Sequence, residues 1–274
     1  AFSLYLTPKC RYNSAFINLR PPNMPLFELK TLMALAILLL SLASGYLPFH
    51  RHSATGQPTK DFPFGEALAC GVFLGAGLIH MLGDANMGFI DAGIEFPTAY
   101  VLCGCMFLVL LLLEHIGTEL KHHSSHSNNS IAILSVVMLA IHSLLEGTAV
   151  GIGSDLAETV ILFIAIIAHK WAASFALSLQ INKSTLPLVT RTALFLIFAV
   201  MTPLGVLFGL FIHHFTTNQI ALPIFNALAA GTFLYIGTLH GLSRAVLVDR
   251  CCNLKEFSMV IVGFALMAVV AVWT

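Results

Sequence analysis

The sequence predicts an all-α integral membrane protein, and three observations support this prediction. Hydrophobic residues make up 58% of the 274 residues, and the four charged types only 9%, whereas soluble domains carry about 25% charged residues. The mean hydropathy of +0.89 agrees with that composition. The apolar residues also fall into runs of about twenty, the length that crosses a bilayer as a helix. So few charged residues cannot cover a water-facing surface. Because the apolar runs take up most of the chain, we expect no separate soluble domain.

Eight apolar segments can be marked as predicted transmembrane helices with short loops between them. Eight spans of about 20 residues use about 160 residues. Gly and Pro inside them are acceptable, because neighbouring helices can satisfy the backbone groups that these residues leave free. The predicted spans, one to eight, cover residues 27–47, 64–83, 97–116, 131–152, 158–180, 191–213, 220–243 and 256–273.

The charged residues of the loops alternate along the chain and predict its orientation. Basic residues occupy the loops after spans one, three, five and seven, which the positive-inside rule assigns to the cytoplasm. The alternate loops hold acids or histidines and no Lys or Arg. Both termini are then expected on the outer side. We expect the protein itself in a plasma membrane or a bacterial inner membrane. Residues 1–23 carry three basic residues on that outer side, and we expect them to be a disordered extension ahead of a transporter domain at 24–274.

A few ionisable side chains fall inside the spans, where they are costly and usually functional. His142 and Glu146 are four residues apart in span four and therefore share one face of a helix. His169 in span five adds a third strong ligand type. An imidazole pair with one carboxylate is a common set of transition-metal ligands. His80 and Asp84 repeat the four-residue spacing near the predicted outer end of span two.

Small residues follow these ligands, Gly147 and Gly151 after Glu146 and Ala172 and Ala173 after His169. Small side chains let membrane helices approach closely. We therefore expect spans four and five to pack against each other and bring their ligands to one ion.

Two further groups of histidines are weaker candidates as metal ligands. His122, His123 and His126 lie in a polar loop predicted to be cytoplasmic, which is either a loose metal-binding tether or a solvated linker. His240 lies near the end of span seven.

The motifs of five spans resemble those of the ZIP (Zrt/Irt-like) divalent metal transporter family. HSLLEGTAVG at 142–151 and HKWAASFALSL at 169–179 resemble the signatures of its fourth and fifth spans. GVFLGAGLIHMLGDA at 71–85, MTPLGVLFG at 201–209 and ALAAGTFLYIGTLH at 227–240 resemble spans two, six and seven. The HK pair at the start of the fifth-span motif resembles one branch of the family. The resemblance implies eight transmembrane helices in a 3+2+3 arrangement, with inverted repeats around helices four and five.

The same resemblance implies roles for individual residues. It makes His142, Glu146 and His169 the primary metal site between helices four and five, and His80 and Asp84 the entrance. Ser143 matches a position where some members carry a second-site Asn. Two residues depart from the pattern of binuclear members: Lys170 stands where those members can have Asp, and Ala173 where many have Glu. We therefore expect one metal ion at this site.

His240 is a further departure, because many members of that branch have Glu at the matching position. The histidine keeps a ligand type there, either as a fourth ligand or in an exit relay.

The predicted function is transport of a divalent metal, most simply Zn²⁺ toward the cytoplasm, since imidazole ligands suit Zn²⁺ better than Mg²⁺ or Ca²⁺. Fe²⁺, Mn²⁺ and Cd²⁺ stay open as cargo, and so does the oligomeric state, a homodimer being one option. An intramembrane metal-dependent hydrolase is the alternative, but the spacing is HxxxE rather than HExxH, and no GxSxG string is present. A metal-sensing receptor is a third reading. We predict no enzyme activity, no catalytic residue and no bound cofactor. The expected partners are the lipid bilayer and the metal, and the net charge of zero gives no reason to expect nucleic acid.

Overall fold

The computed structural model describes residues 25–55, 62–119, 127–215, 220–239 and 254–272, and the regular structure in these ranges is helical. The predicted extension at 1–23 lies outside the described residues. The helices are α1 (Leu26–Thr55), α2 (Pro63–Asp91), α3 (Thr98–Glu119), α4 (Ser127–Ile152), α5 (Leu156–Asn182), α6 (Leu188–Phe215), α7 (Ala221–Leu239) and α8 (Leu254–Val270). Helix α2 contains a π-helical turn at Ala76–Met81, and α7 is α-helical as far as Tyr235.

The helices have the length and surface of membrane spans. Within the described ranges, seven are long and apolar enough to cross a bilayer. The eighth, α8, has 17 residues and lies in the segment predicted as span eight. Large apolar side chains remain exposed along the helices; on α3, for example, Leu108 and Leu112 are 61% and 56% exposed. Such surfaces require lipid rather than water, so the protein is an all-α integral membrane protein.

The helices assemble into two bundles. In bundle A, α4 packs along α6, and α1 packs against α5 and α6. In bundle B, α2 packs along α8, and α3 packs along α7. In an inverted repeat, helices one, two and three correspond to helices six, seven and eight, and helix four corresponds to helix five. The α4–α6 contact is then equivalent to the α5–α1 contact, and the α2–α8 contact is equivalent to the α7–α3 contact. This is the pairing that the expected inverted repeat requires. The bundles meet where α4 lies against α7 and α5 against α2.

Glycines fix the close packing inside each bundle. Gly147 of α4 lies against the Thr202 carbonyl of α6, and Gly205 of α6 lies against the Leu144 carbonyl of α4, so that a Cβ at either position would overlap backbone. Gly151 makes the same close approach to α6. The expectation that Gly147 and Gly151 bring α4 against α5 is therefore wrong. Successive helical residues point about 100° apart, which turns these glycines toward α6 while their neighbour Glu146 points toward α5.

Helix α2 extends further than the sequence predicts. Span two is predicted to end at residue 83, but the helix continues to Asp91. Asp84 and Asp91 therefore lie on the last turns of α2 rather than in a loop. His80 lies within the π-helical turn, an irregularity that often occurs at functional sites.

Candidate metal site

Helices α4 and α5 of bundle A bring three potential metal ligands together in the protein interior. His142 and Glu146 come from one face of α4, and His169 from α5. One ligand atom from each side chain lies within 4.8 Å of the other two. All three residues are at most 2% exposed. These are the three residues that the sequence singles out as the primary site, and the fold makes them neighbours.

The spacing of the ligand atoms is close to that of a tetrahedral zinc site. His169 Nε2 lies 2.5 Å from Glu146 Oε1, and His142 Nε2 lies 3.9 Å from the same oxygen. With Zn–N and Zn–O distances near 2.0–2.1 Å, neighbouring ligands of tetrahedral Zn²⁺ lie about 3.3 Å apart. The two observed distances bracket that value, so modest side-chain shifts would admit an ion.

A hydrogen bond from α7 orients the ring of His142. The Thr232 hydroxyl donates to the Ala229 carbonyl at 2.6 Å, so its oxygen is available to accept from His142 Nδ1, which lies 2.7 Å away. We assign the proton of His142 to Nδ1 on this basis. The lone pair then lies on Nε2, which has no hydrogen-bond partner among the described residues. A metal-binding histidine commonly has such a partner on its other nitrogen.

An aromatic side chain of bundle B covers the two histidines. The Phe233 ring of α7 stacks on His142 with centroids 3.6 Å apart and an interplanar angle of 18°. It meets His169 edge-on at 4.9 Å. The ligands thus belong to bundle A, whereas the groups that orient and cover them, Thr232 and Phe233, belong to bundle B.

A lysine lies beside the three ligands. Lys170 Nζ donates to Ser143 Oγ at 2.8 Å, to Glu146 Oε2 at 3.0 Å and to Thr202 Oγ1 at 2.7 Å. These bonds satisfy all three N–H groups of a fully buried ammonium. The Phe198 ring centroid lies 5.0 Å from Nζ, within range of a cation–π contact. The two oxygens of Glu146 therefore have different partners: Oε2 accepts a hydrogen bond from Lys170, and Oε1 faces the two histidines.

His80 and Asp84 lie on the same helix, outside this cluster. Nδ1 of His80 is 2.9 Å from Oδ2 of Asp84. The His80 side chain is 2% exposed and the Asp84 side chain 41%. His80 is close enough to interact electrostatically with His169. The pair thus extends from accessible surface into the protein toward the three ligands.

The other predicted metal ligands cannot be placed. His240, His122, His123 and His126 lie outside the described residues, and their roles stay predictions.

The sequence alone does not single out Thr202, Thr232 and Phe233. Their only signal is their position inside the span-six and span-seven motifs, with Thr202 directly before Pro203 and Thr232 directly before Phe233. Hydroxyl and phenyl groups inside a span look like ordinary packing residues, and only the fold brings them to the ligands.

The opposite ends of the bundle interface differ. At one end, Lys183 after α5 forms an ion pair with Glu66 of α2 at 2.5 Å, and the Phe62 and Phe175 rings meet edge-on beside it. At the other end, a cavity of about 530 Å³ opens between α2, α5 and α7. Glu66 and Asp91 are 25 residues apart on α2, about 38 Å along a helix, so the two ends lie at opposite membrane faces.

Comparison with known proteins identifies the family. The family model described as ZIP Zinc transporter matches residues 124–271, more than half of the chain. Zinc transporter ZIP2 of Mus musculus is 27% identical, over 87% of this chain and 96% of its own length. Zinc transporter ZIP1 of Mus musculus is 28% identical, over 90% and 91%. Zinc transporter 11 of Arabidopsis thaliana is 27% identical, over 90% and 86%. The chain belongs to the ZIP zinc transporter family.

Proposed function

We propose that this protein carries Zn²⁺ toward the cytoplasm through the site formed by His142, Glu146 and His169. The observation that carries the proposal is this buried set of two imidazoles and one carboxylate within 4.8 Å, in a member of a family of zinc transporters. Membership of that family makes the chain a transporter rather than an enzyme, so the hydrolase alternative is not favoured.

The ligand chemistry favours Zn²⁺ over Mg²⁺ and Ca²⁺. Nε2 of His142, Nε2 of His169 and Oε1 of Glu146 would hold the ion, while Oε2 of Glu146 keeps its bond to Lys170. Three protein ligands leave one coordination position of Zn²⁺ for water or the next ligand. Such an open position allows ligand exchange, which a transported ion needs. Fe²⁺, Mn²⁺ and Cd²⁺ accept similar ligands, and a competition series would rank them.

The lysine supports a stoichiometry of one ion per chain. Lys170 Nζ fills the space between Ser143, Glu146 and Thr202, on the side of Glu146 where a second ion would bridge. A fixed ammonium there repels a second cation. It also offsets the charge of Glu146, which weakens the hold on the first ion and favours its release.

The division of the site between the bundles suggests how access alternates. The ligands move with bundle A, whereas Thr232 and Phe233 move with bundle B. If bundle A shifts against bundle B, the ion and its three ligands would move together away from the Phe233 ring. This is alternating access by movement of one bundle relative to the other. The glycine-mediated packing lies within the bundles, which suits their movement as rigid units.

The two ends of the interface give a direction to the path. The positive-inside rule puts the end with Lys183 in the cytoplasm, and there the ion pair with Glu66 and the Phe62–Phe175 contact close the interface. The cavity lies at the outer end, where His80 and Asp84 would capture the ion and pass it inward. The arrangement corresponds to an outward-facing state.

Uptake of ⁶⁵Zn²⁺ into proteoliposomes tests the proposed function. His142→Ala and Glu146→Gln should each lower the initial rate at least about tenfold, because too few deprotonated donors remain. Ser178→Ala is the control: its hydroxyl is likewise buried inside bundle A, on α5, but donates to the Phe175 carbonyl of its own helix, and uptake should stay within about twofold of wild type, as for a neutral local change. Uptake at the wild-type rate by both ligand variants would refute the assignment.

A further inference from the structure

Helices α2 and α7 carry two copies of one sequence pattern. The pattern GxFLxxGxxH occurs at 71–80, which reads GVFLGAGLIH, and again at 231–240, which reads GTFLYIGTLH. Each residue of the first copy corresponds to the residue 160 positions later. The backbone repeats the pattern, because α2 becomes π-helical at Ala76 and α7 at Ile236, at the same position of the two copies. The inverted repeat is therefore visible at the level of single residues in these two helices.

The contacts between α2 and α7 are reciprocal. Gly77 of α2 packs against α7, and Gly237 of α7 packs against α2. Their neighbours are equivalent residues of the two copies: Ala230, Phe233 and Leu234 beside Gly77, and Cys70, Phe73 and Leu74 beside Gly237. The rings of Phe73 and Phe233 meet with centroids 5.0 Å apart. The two helices thus pack about a local twofold axis that lies near these two rings.

The two copies differ at the position that orients the metal site. Thr232 of α7 accepts the hydrogen bond from Nδ1 of His142 at 2.7 Å. The equivalent residue of α2 is Val72, which is fully buried and has no hydrogen-bonding group. Nδ1 of His169, the histidine of the equivalent helix α5, has no hydrogen-bond partner among the described residues. Only one of the two histidines is therefore oriented by a hydroxyl.

The same correspondence holds for the two bundles as whole units. It pairs α1 with α6 and α4 with α5, which are all in bundle A, and α2 with α7 and α3 with α8, which are all in bundle B. Each bundle is thus approximately symmetric in itself. In transporters with inverted repeats, one repeat or bundle moves relative to the other around the site. Because the repeats are equivalent, the bundles can stay rigid while the repeats exchange their environments.

We propose that α2 and α7 exchange roles at the metal site during transport, and that Val72 makes the inward-facing state the weaker zinc binder. In that state, Phe73 stacks on His169 as Phe233 now stacks on His142. The apolar cover is kept, because both copies have Phe at this position. The hydrogen bond is not kept, because Val72 takes the place that Thr232 has in the present state.

This asymmetry gives transport a direction. Losing the partner that orients a metal-binding histidine typically costs 10- to 100-fold in affinity. The outward-facing state has one such partner, Thr232, and the inward-facing state has none. Zn²⁺ is therefore held more tightly when it is captured and less tightly when it is released to the cytoplasm. The inference rests on the proposed function and adds Val72 and Phe73 to it as positioning residues.

The concentrations of Zn²⁺ that half-saturate transport at each face test the inference. We would measure ⁶⁵Zn²⁺ entry into right-side-out and inside-out membrane vesicles that contain the full chain. In wild type, the half-saturating concentration should be at least about tenfold lower at the outer face. Val72→Thr should lower the cytoplasmic value about tenfold and leave the outer value within about twofold. The new hydroxyl finds the same backbone acceptor as Thr232, because Ala69 corresponds to Ala229.

A matched control and a second variant guard against a general effect on folding. Val206→Thr makes the same change at a buried valine of α6 and should move neither value by more than about twofold. Val72→Ser supplies the hydroxyl in a smaller side chain and should act in the same direction as Val72→Thr.

The double variant Val72→Thr, Thr232→Val exchanges the two residues and gives the sharpest result. It should reverse the ratio of the two half-saturating concentrations, so that the cytoplasmic face becomes the tighter one. A purely structural role of these residues would change stability or both values together, but would not reverse their ratio. Equal values in wild type, or a ratio that the folded double variant leaves unchanged, would overturn the inference while zinc transport still stands. A wild-type protein that carries no zinc would overturn the proposed function, and the inference with it.

Discussion

Replacing Thr232 by Val tests how the zinc site is oriented across the bundle interface. The hydroxyl of Thr232 donates to the Ala229 carbonyl and accepts from His142 Nδ1 at 2.7 Å. Without this acceptor, the proton of His142 is no longer fixed on Nδ1, and the tautomer that blocks Nε2 becomes populated. Loss of such an orienting partner typically costs 10- to 100-fold in metal affinity, about 1.4–2.8 kcal/mol. We therefore expect Thr232→Val to raise the Kd for Zn²⁺ by that factor while the protein stays folded.

The measurement is competition for Zn²⁺ between the purified protein and a chromophoric chelator. Thr232→Ser keeps the hydroxyl and should stay within about threefold of wild type, less than the loss of the partner costs. Thr148→Val is a matched control, because the buried Thr148 hydroxyl donates only to the Leu144 carbonyl of its own helix and contacts no ligand. A Kd for Thr232→Val equal to that of wild type would refute the role of the hydrogen bond.

Three further predictions follow from the packing and charges. Lys170→Asp combined with Ala173→Glu should bind two Zn²⁺ per chain instead of one, measured by metal analysis of the purified protein, because the ammonium is replaced by two carboxylates. Gly205→Val should lower the melting temperature in detergent, because its Cβ would overlap the α4 backbone at a cost of about 1–3 kcal/mol. Gly104→Ala should not lower it, because Gly104 has open space around it. Equal melting temperatures of the two variants would contradict the close packing. Glu66→Gln should speed hydrogen exchange at the start of α2 and the end of α5 by up to about fivefold, the limit for a partly exposed ion pair, and unchanged exchange would mean that the pair does not close that end.

The spans and the primary ligands could be predicted from sequence because each leaves a local signal. An apolar run of about twenty residues has few alternatives to a membrane helix. His142 and Glu146 are conspicuous because ionisable groups are rare inside spans. The approach of His169 was expected both from the small residues beside the ligands and from the resemblance of its motif to the family, although the glycines of α4 turn out to face α6.

The features that the sequence did not reveal depend on which helices pack together. The glycines of α4 could face any neighbour, and only the assembled bundle turns them toward α6. Lys30 looks like an ordinary lysine at a span end, yet it is 1% exposed and bonded to carbonyls 121 and 123 residues away. Thr232 and Phe233 carry no charge, so nothing in the chain marked them as neighbours of a metal site. The extension of α2 to Asp91 could not be predicted from hydropathy, because its last turns are too polar to continue the apolar segment.

Anomalous X-ray scattering at the zinc edge, on crystals grown with Zn²⁺, would locate the bound ion directly. We predict one strong peak per chain among His142, Glu146 and His169, within about 2.0–2.2 Å of their ligand atoms, and no peak at the position of the Lys170 ammonium. A pair of peaks on either side of Glu146, or a single peak away from these three side chains, would contradict it.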